Sequence, residues 1–550
     1  RLIFEVNPGR MNKFIAIPIQ ILALYFIGLL GLPIHGNANT ISGNTGNYLQ
    51  KIGVLQPGDT LLLEPGTYAN NMKLVNINGK PGQPIVIVGS GQSTIFIGNA
   101  CCNTVSLTKC SFLVLSHFML DGKNQFVDAV KAEGTAGNWT HDITIQYTTI
   151  VGYGIDQQAV GISTKCPSWN WVIRKNKIIG AGTGLYLGNS DGTMPFVNGI
   201  IEYNYIASTV GYNMQIKHQF NGSRDVLPET MIDAHTTIRY NVFTKDSTSS
   251  GGGNARPNLL TGGFPTSGWG AKDYYEIYGN FFYNNPVEAL YQGTGNIIMY
   301  DNIFVNHFDP AGIRAVYFTP QNGVNPQTIH FFHNTLLAAN TSGGVRLYNP
   351  APGFVQDCYA NAVFAPNPIS NFSNEIDNVK DTYNNASSYV LAARNTILDL
   401  DLFPKAGQLT GTLTPDTITL KYKDATKDFN GDSYAWTYRG AYARCCRNHG
   451  WKLQLDTMPD RNVLISSLND HQETGLAFST WPNPSNGELF IQSPVQADYL
   501  LTDFTGREIL KGNLRKGINE VRINCELSGT IFLIIQSETK SFSKKIIFSK

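Results

Sequence analysis

The sequence predicts an all-β chain: a solenoid of stacked coils followed by a small C-terminal β-sandwich. Three observations carry the prediction. A short motif, apolar-x-apolar-x-x-Asn-x-apolar-apolar, recurs along the middle of the chain. Gly (54) and aromatic residues (11%) are plentiful while charged residues make up only 15%, which suits short strands joined by many turns. No long stretch shows the apolar period of an amphipathic helix.

The motif reads VIRKNKII around Asn176, IIEYNYIA around Asn204, TIRYNVFT around Asn241 and EIYGNFFY around Asn280. It continues as IMYDNIFV around Asn302, HFFHNTLL around Asn334 and CYANAVFA around Asn361. Two weaker copies precede these: TIQYTTIV, with Thr148 in the Asn place, and VLSHFMLDG, with His117 there. A fixed motif at a variable but bounded period marks a solenoid whose coils carry loops of different length. Each unit holds two strands too short to form a sheet alone, so the coils stack into parallel sheets around a shared apolar core. An Asn at each bend can point inward and bond the amides of its own and neighbouring coils, so the repeated Asn is read as a structural ladder. The step from Asn280 to Asn302 is one unadorned coil; longer steps carry insertions, where function usually sits.

Both ends of the chain read differently from its middle. Residues 1–10 precede Met11 and read as upstream of the natural start. Residues 11–38 have the layout of a secretory signal peptide: a positive start at Lys13, an apolar run from Phe14 to Leu32, and the small-residue exit Gly36-Asn37-Ala38. The solenoid is expected over 39–452 and a linker over 453–475. A second block over 476–550 has alternating strands WPNPSNGELFIQ, LTDFTGREILKG and LSGTIFLIIQSE between Gly and Asn turns. No segment of the mature chain reads as a membrane span. Lys plus Arg (41) nearly balance Asp plus Glu (40), so no global charge argues for nucleic acid. Eight cysteines lack repeated CxxC spacing, which argues against zinc. The adjacent pairs Cys101-Cys102 and Cys445-Cys446 are not expected to bond internally.

The residues now support two resemblances. Residues about 40–440 resemble a right-handed parallel β-helix of the kind found in polysaccharide lyases, with LQPGDTLLLEPGTY (Leu55–Tyr68) and GKPGQPIVIVGS (Gly79–Ser90) similar to the first coils of alginate-lyase and chondroitinase-B-like proteins. DFNGDSYAWTYRGAYA (Asp428–Ala443) resembles the last coil that often ends such helices. The block after 475 resembles the type IX secretion C-terminal sorting domain through its PNPSNG opening, its D-x-x-G-R middle and its K-K-I-I-F end. That resemblance implies export through the outer membrane of a Bacteroidetes-type bacterium, by way of the periplasm, with the type IX machinery as partner.

Residues about 10–15 positions after each Asn are expected to form a column on one face: Tyr186, Gln215, Lys217, Arg256, Tyr291, Gln292, Arg314 and Arg346. Aromatic, amide and cationic groups together suit an elongated anionic glycan, because guanidinium pairs with carboxylate and rings stack on sugars. An extracellular polysaccharide is therefore the expected partner. The densest cluster lies in the two longest insertions, MQIKHQFNGSRD and GGGNARPNLLTGGF. Eliminative cleavage of a uronate needs its carboxylate neutralised, a base for the C5 proton and an acid for the leaving oxygen. Lys217 is a candidate base if its pKa is depressed, His218 an alternative base, and Arg256 a candidate to neutralise the carboxylate. The resemblance to lyases maps Lys217 and Arg256 onto the family's Lys/Arg pair and brings in calcium as the candidate cofactor. The match departs from the family at Asn213 and Gln215, which stand where acidic ligands are wanted. Glu202, Asp225, Glu276 and Glu288 are open to a metal or a hydrolase, though their spacing singles out no pair. Asp428, Asn430 and Asp432 read as a turn, because no Glu follows in calcium-loop register. A non-catalytic glycan-binding rod, and a glycoside hydrolase or epimerase on the same scaffold, stand as the alternatives.

Overall fold

A computed structural model describes residues 38–393, 396–414, 421–461, 479–481, 488–502, 508–523, 529–536 and 541–548. The expected signal peptide lies outside the described residues, as does most of the expected linker.

Three long parallel sheets run the length of the solenoid. Sheet 1 begins at Thr40–Gly43 and ends at Asn374–Ile376; sheet 2 runs from Gly66–Tyr68 to Val379–Asp381; sheet 3 runs from Met72–Val75 to Ile369–Ser370. One coil visits each sheet once. Ile200–Glu202 lies in sheet 1, Tyr205–Ala207 in sheet 2 and Met214–Ile216 in sheet 3, before His235–Arg239 re-enters sheet 1. Inward residues of all three sheets form one continuous core, in which Phe243, Phe282 and Phe304 stack at centroid spacings of 5.0 and 4.7 Å. Strand pairs this short cannot bury a face alone; stacking supplies the missing surface. The chain is a parallel β-helix.

The Asn ladder stands at the corner between sheets 1 and 2. Asn176, Asn204, Asn241, Asn280, Asn302, Asn334 and Asn361 are fully buried, each Nδ2 donating to the Oδ1 of the next at 2.9–3.1 Å. Asn378 closes the row by accepting from Asn361 at 2.9 Å. The residue before each Asn is left-handed: Lys175, Tyr203, Tyr240, Gly279, Asp301 and His333 all have φ between 52° and 62°. Such a residue turns the chain sharply and throws its side chain outward. His117 belongs to this outward row, with φ 60°, and Phe118 takes the inward place. The sequence alignment of that weak copy was therefore one residue out of register, because neither residue is the Asn that marks the corner.

The segment Asp428–Ala443 does not form a final coil. The last coil ends at Val379–Asp381, and residues 421–461 return along the outside of the helix as a strap. Tyr434 donates to Asp301 Oδ1 at 2.7 Å, and His333 packs against Tyr434 and Trp436 at 4.1 and 4.5 Å. Arg439 is fully buried and holds Asp377 Oδ2 through Nε at 3.0 Å and Nη2 at 2.6 Å. Residues 454–461, expected in the linker, lie on the solenoid: Asp456 pairs with Lys177 at 2.8 Å and Asp460 pairs with Lys175. The Asp428–Asp432 segment is a turn, since Asp428 Oδ1 accepts the amides of Asn430 and Asp432 at 2.9 and 2.8 Å. Cys101–Cys102 and Cys445–Cys446 close as vicinal disulfides, contrary to the expectation from adjacency.

Beyond the strap, antiparallel strands form two small sheets. Ser479–Trp481, Glu488–Ser493 and Gly517–Arg522 make one, and Glu508–Leu514, Ala497–Thr502, Gly529–Gln536 and Ser541–Phe548 make the other. Leu489, Ile491, Leu501, Leu533 and Ile535 form their own core, separate from that of the solenoid.

Candidate functional site

The outward column of sheet 3 is set by register. Lys131 pairs with Ser163, Ser163 with Tyr186, Tyr186 with Gln215, Gln215 with Leu260, Leu260 with Gln292, Gln292 with Tyr317, and Tyr317 with Arg346. Tyr186, Gln215, Gln292 and Arg346 thus share one register row, in which Gln215 is buried and the other three are partly exposed. Tyr291 does not share it: adjacent strand residues point to opposite faces, and Tyr291 is buried in the core with its hydroxyl 2.7 Å from Thr261 Oγ1. It has no surface to offer a ligand. Arg314 lies in the turn before its strand, close enough to Arg346 that burial and this second cation lower its pKa. Arg346 packs over the rings of Tyr348 and Tyr317 at 5.0 and 5.8 Å.

A second outward row follows one residue past the strands. Lys165, Gly188 and Lys217 occupy it in consecutive coils, given the pairing of Ser163 with Tyr186 and of Leu187 with Ile216. Tyr186 lies between the two lysines. Lys165 Nζ stands 3.1 Å from its ring centroid and Lys217 Nζ 5.7 Å. Burial depresses both ammonium groups. Lys165 is brought to about 7: desolvation lowers it most, Asp128 raises it, and Lys131 and Lys217 lower it further. Asp128 is held in place by Ser163 Oγ at 2.8 Å, the Val160 amide at 3.0 Å and Lys131 at 3.5 Å. The Tyr186 hydroxyl is pushed up by burial and so keeps its proton at neutral pH. His218, beside Lys217, is lowered by burial and by that lysine. The arrangement couples a readily deprotonated amine to a second amine, with a protonated phenol between them.

Lys217 and Arg256 are not brought together. Lys217 follows the strand Met214–Ile216, whereas Arg256 precedes the neighbouring strand Leu259–Thr261, so they flank opposite edges of sheet 3. Arg256 packs over Tyr212 at 5.7 Å, and its carbonyl accepts from buried Lys245 at 2.7 Å and from Asn285 at 2.9 Å. Arg224 is a fully buried support of the long insertion, paired with Asp273 and donating to Gln219 at 3.1 Å. Glu202 and Glu276 lie on sheet 1, where Glu202 binds Arg239 and Glu276 accepts from Tyr300 at 2.8 Å. They are on a different sheet from Glu288, whose Oε1 accepts from Gln292 at 2.9 Å. No cluster of three or more metal-ligating side chains occurs among the described residues. Asn213 is buried with Nδ2 on Thr209 and Thr244, so the residues ahead of Lys217 form no acidic calcium cage.

Lys165 and Asp128 were not singled out from the sequence. The signal was present, since VGISTKCP ends a sheet-3 strand with Lys165, but its coil has Thr148 in place of the Asn that anchors the counting.

Residues 479–549 match the family model described as "Secretion system C-terminal sorting domain". No curated protein sequence matches the chain. Among solved structures, a mutant of the PL6 family alginate lyase AlyGC is similar at 11% identity and TM-score 0.43, covering 82% of this chain and 60% of that one. The chain thus spans less than two thirds of that enzyme's length. The PL6 family polysaccharide lyase Pedsa3628 from Pseudopedobacter saltans is similar at 13% identity and TM-score 0.39, covering 64% of this chain and 94% of that one. An alginate lyase from Paenibacillus sp. str. FPU-7 is similar at 13% identity and TM-score 0.34, covering 62% and 99%. No helix among the described residues is long and apolar enough to cross a membrane. The chain is a parallel β-helix that ends in a secretion-system sorting domain, which marks it for secretion or the cell surface.

Proposed function

We propose that this protein cleaves a uronic-acid-containing polysaccharide outside the cell by β-elimination. The observation that carries the reading is the pair Lys165 and Lys217 flanking the Tyr186 ring, with Lys165 depressed to about 7. A uronate set over Tyr186 places its carboxylate against protonated Lys217. Neutralising that carboxylate acidifies the C5 hydrogen. Unprotonated Lys165 takes this proton, the C5–H electrons form the C4=C5 bond, and the C4–O bond breaks. The departing oxygen takes the proton of the Tyr186 hydroxyl. His218, neutral at its depressed pKa, is the alternative base, and Arg256, Gln292, Arg314 and Arg346 bind sugars further along the chain.

Mixing the secreted protein with alginate, pectate or chondroitin tests the reading. Elimination leaves an unsaturated uronate whose ultraviolet absorbance grows with time. Lys165→Ala and Lys217→Ala are each expected to abolish that growth with the fold intact. Absence of any rise on all three polymers, with glycan binding retained, overturns the eliminative reading and leaves a binding rod.

A further inference from the structure

A cavity of about 380 Å³ opens on the turns that carry sheet 3 into sheet 1, across four consecutive coils. Its lining draws Trp139 and His141 from one coil, Lys165 and Trp169 from the next, Met194 from the third and Val226 from the long insertion of the fourth. Trp139, His141 and Trp169 form a stack, with centroids 5.2 Å apart at 28° and 4.4 Å apart at 14°. Register explains the stack, since Thr140 and His141 pair with Ser168 and Trp169. Asp142 holds His141 Nδ1 at 2.6 Å and fixes the ring.

Two features make this more than a gap between loops. All three rings are only partly buried, so they present aromatic surface to the cavity. Lys165, one wall of the cavity, is the same lysine that lies over Tyr186, so the cavity adjoins the sheet-3 groove. A partly exposed aromatic wall fits the C–H face of a pyranose.

We propose that this turn cavity is a binding subsite for one sugar ring of the uronate glycan, packed against the Trp139–His141–Trp169 wall next to the sheet-3 groove. The inference deepens the proposed function and rests on its substrate class. The bound polymer then crosses from the face of sheet 3 over the turn towards sheet 1, instead of following the solenoid axis alone.

Tryptophan fluorescence of the full secreted chain reads the subsite without any turnover. Titration with saturated uronate oligosaccharides is expected to change the emission, and Trp169→Ala and Trp139→Ala are each expected to weaken binding about tenfold, the loss of one stacked ring. Trp169→Phe keeps a stacking face and is expected to restore most of the affinity, which separates stacking from folding. Wild-type affinity in the Trp139→Ala/Trp169→Ala double variant overturns the subsite, even if absorbance assays show elimination.

Discussion

Lys165 and Lys217 occupy the same row of the β-helix two coils apart, and the position between them is Gly188. Without a side chain there, the gap between the amines stays open above Tyr186. A Cβ at Gly188 would approach Lys217 Cβ to 3.2 Å, and the residue holds a φ of +86°. Gly188→Leu is expected to fill the gap and cut turnover at least a hundredfold. The left-handed backbone adds about 1 kcal/mol of destabilisation. Kinetics with a urea melt check this; unchanged kcat/KM would remove the gap from the mechanism.

The depressed Lys165 predicts two pH effects. As a base it must be unprotonated, so kcat/KM rises as pH passes through about 7. For stability the sign is the same. Unfolding raises the group from about 7 to the ordinary 10.5, so the unfolded chain binds more protons between these values. The burial penalty is fully present below about 7 and is relieved as pH climbs towards 10.5. Lys165→Met is expected to flatten that part of the stability profile and to abolish the rising limb of activity. A rising limb that survives in Lys165→Met assigns it to another group, with His218 the first candidate.

The ladder makes Asn280 a sensitive position. Its Nδ2 donates to Ile238 O at 2.8 Å, Tyr278 O at 3.1 Å and Asn302 Oδ1 at 3.0 Å, while its Oδ1 accepts the Asn241 amide at 2.9 Å. All of these groups are buried. Asn280→Ala leaves several of them unpaired and is expected to cost about 3 kcal/mol. Asn280→Asp is expected to fare no better, since a carboxylate there would face the neighbouring carbonyl and Asn302 Oδ1. Denaturant midpoints measure both.

What the sequence revealed follows from which residues leave a trace of their neighbours. The short amide of Asn offers a donor and an acceptor to the coils above and below, so the ladder from Asn176 to Asn361 was legible, while the first coils, which lack the Asn, were not counted. Lys165 was hidden because the anchors of its own and the preceding coil are Thr148 and Phe118, and offsets counted from His117 slip by one. Gln292 and its neighbour Tyr291 were indistinguishable, because a strand of three residues gives too little alternation to set which one faces out. Arg256 looked adjacent to Lys217 because offsets counted across a long insertion carry no register. The strap was invisible for another reason: Tyr434, Trp436 and Arg439 meet the corner row at Asp301, His333 and Asp377 from outside, at spacings that follow no coil period. The tail announced itself, because its turns and strand alternation are local.

Arg439 holds the strap to the last coil. Besides Asp377 it donates to the carbonyls of Trp436, Tyr438 and Leu413 at 2.9, 3.1 and 3.2 Å. Removing a buried cation strands its carboxylate and three acceptors, a loss of about 3–5 kcal/mol. Arg439→Ala is therefore expected to free residues 421–461 before the coils melt. Limited proteolysis would then cut within the strap while the solenoid resists; protection equal to wild type would place the strap's anchorage at Asp301–Tyr434 instead.

The sorting domain and the solenoid are expected to separate cleanly in function. The tail has its own core of Leu489, Ile491, Leu501 and Leu533, apart from the cluster that the strap shares with the solenoid. Deleting residues 479–550 is therefore expected to leave the coils folded. The truncated chain is expected to be retained by the producing cell instead of reaching the surface or the medium. Once purified, it should melt at the wild-type temperature and turn over uronate at the wild-type rate. Loss of activity together with a lowered melting temperature would show that the tail also supports the coils, and normal export would assign sorting to another segment.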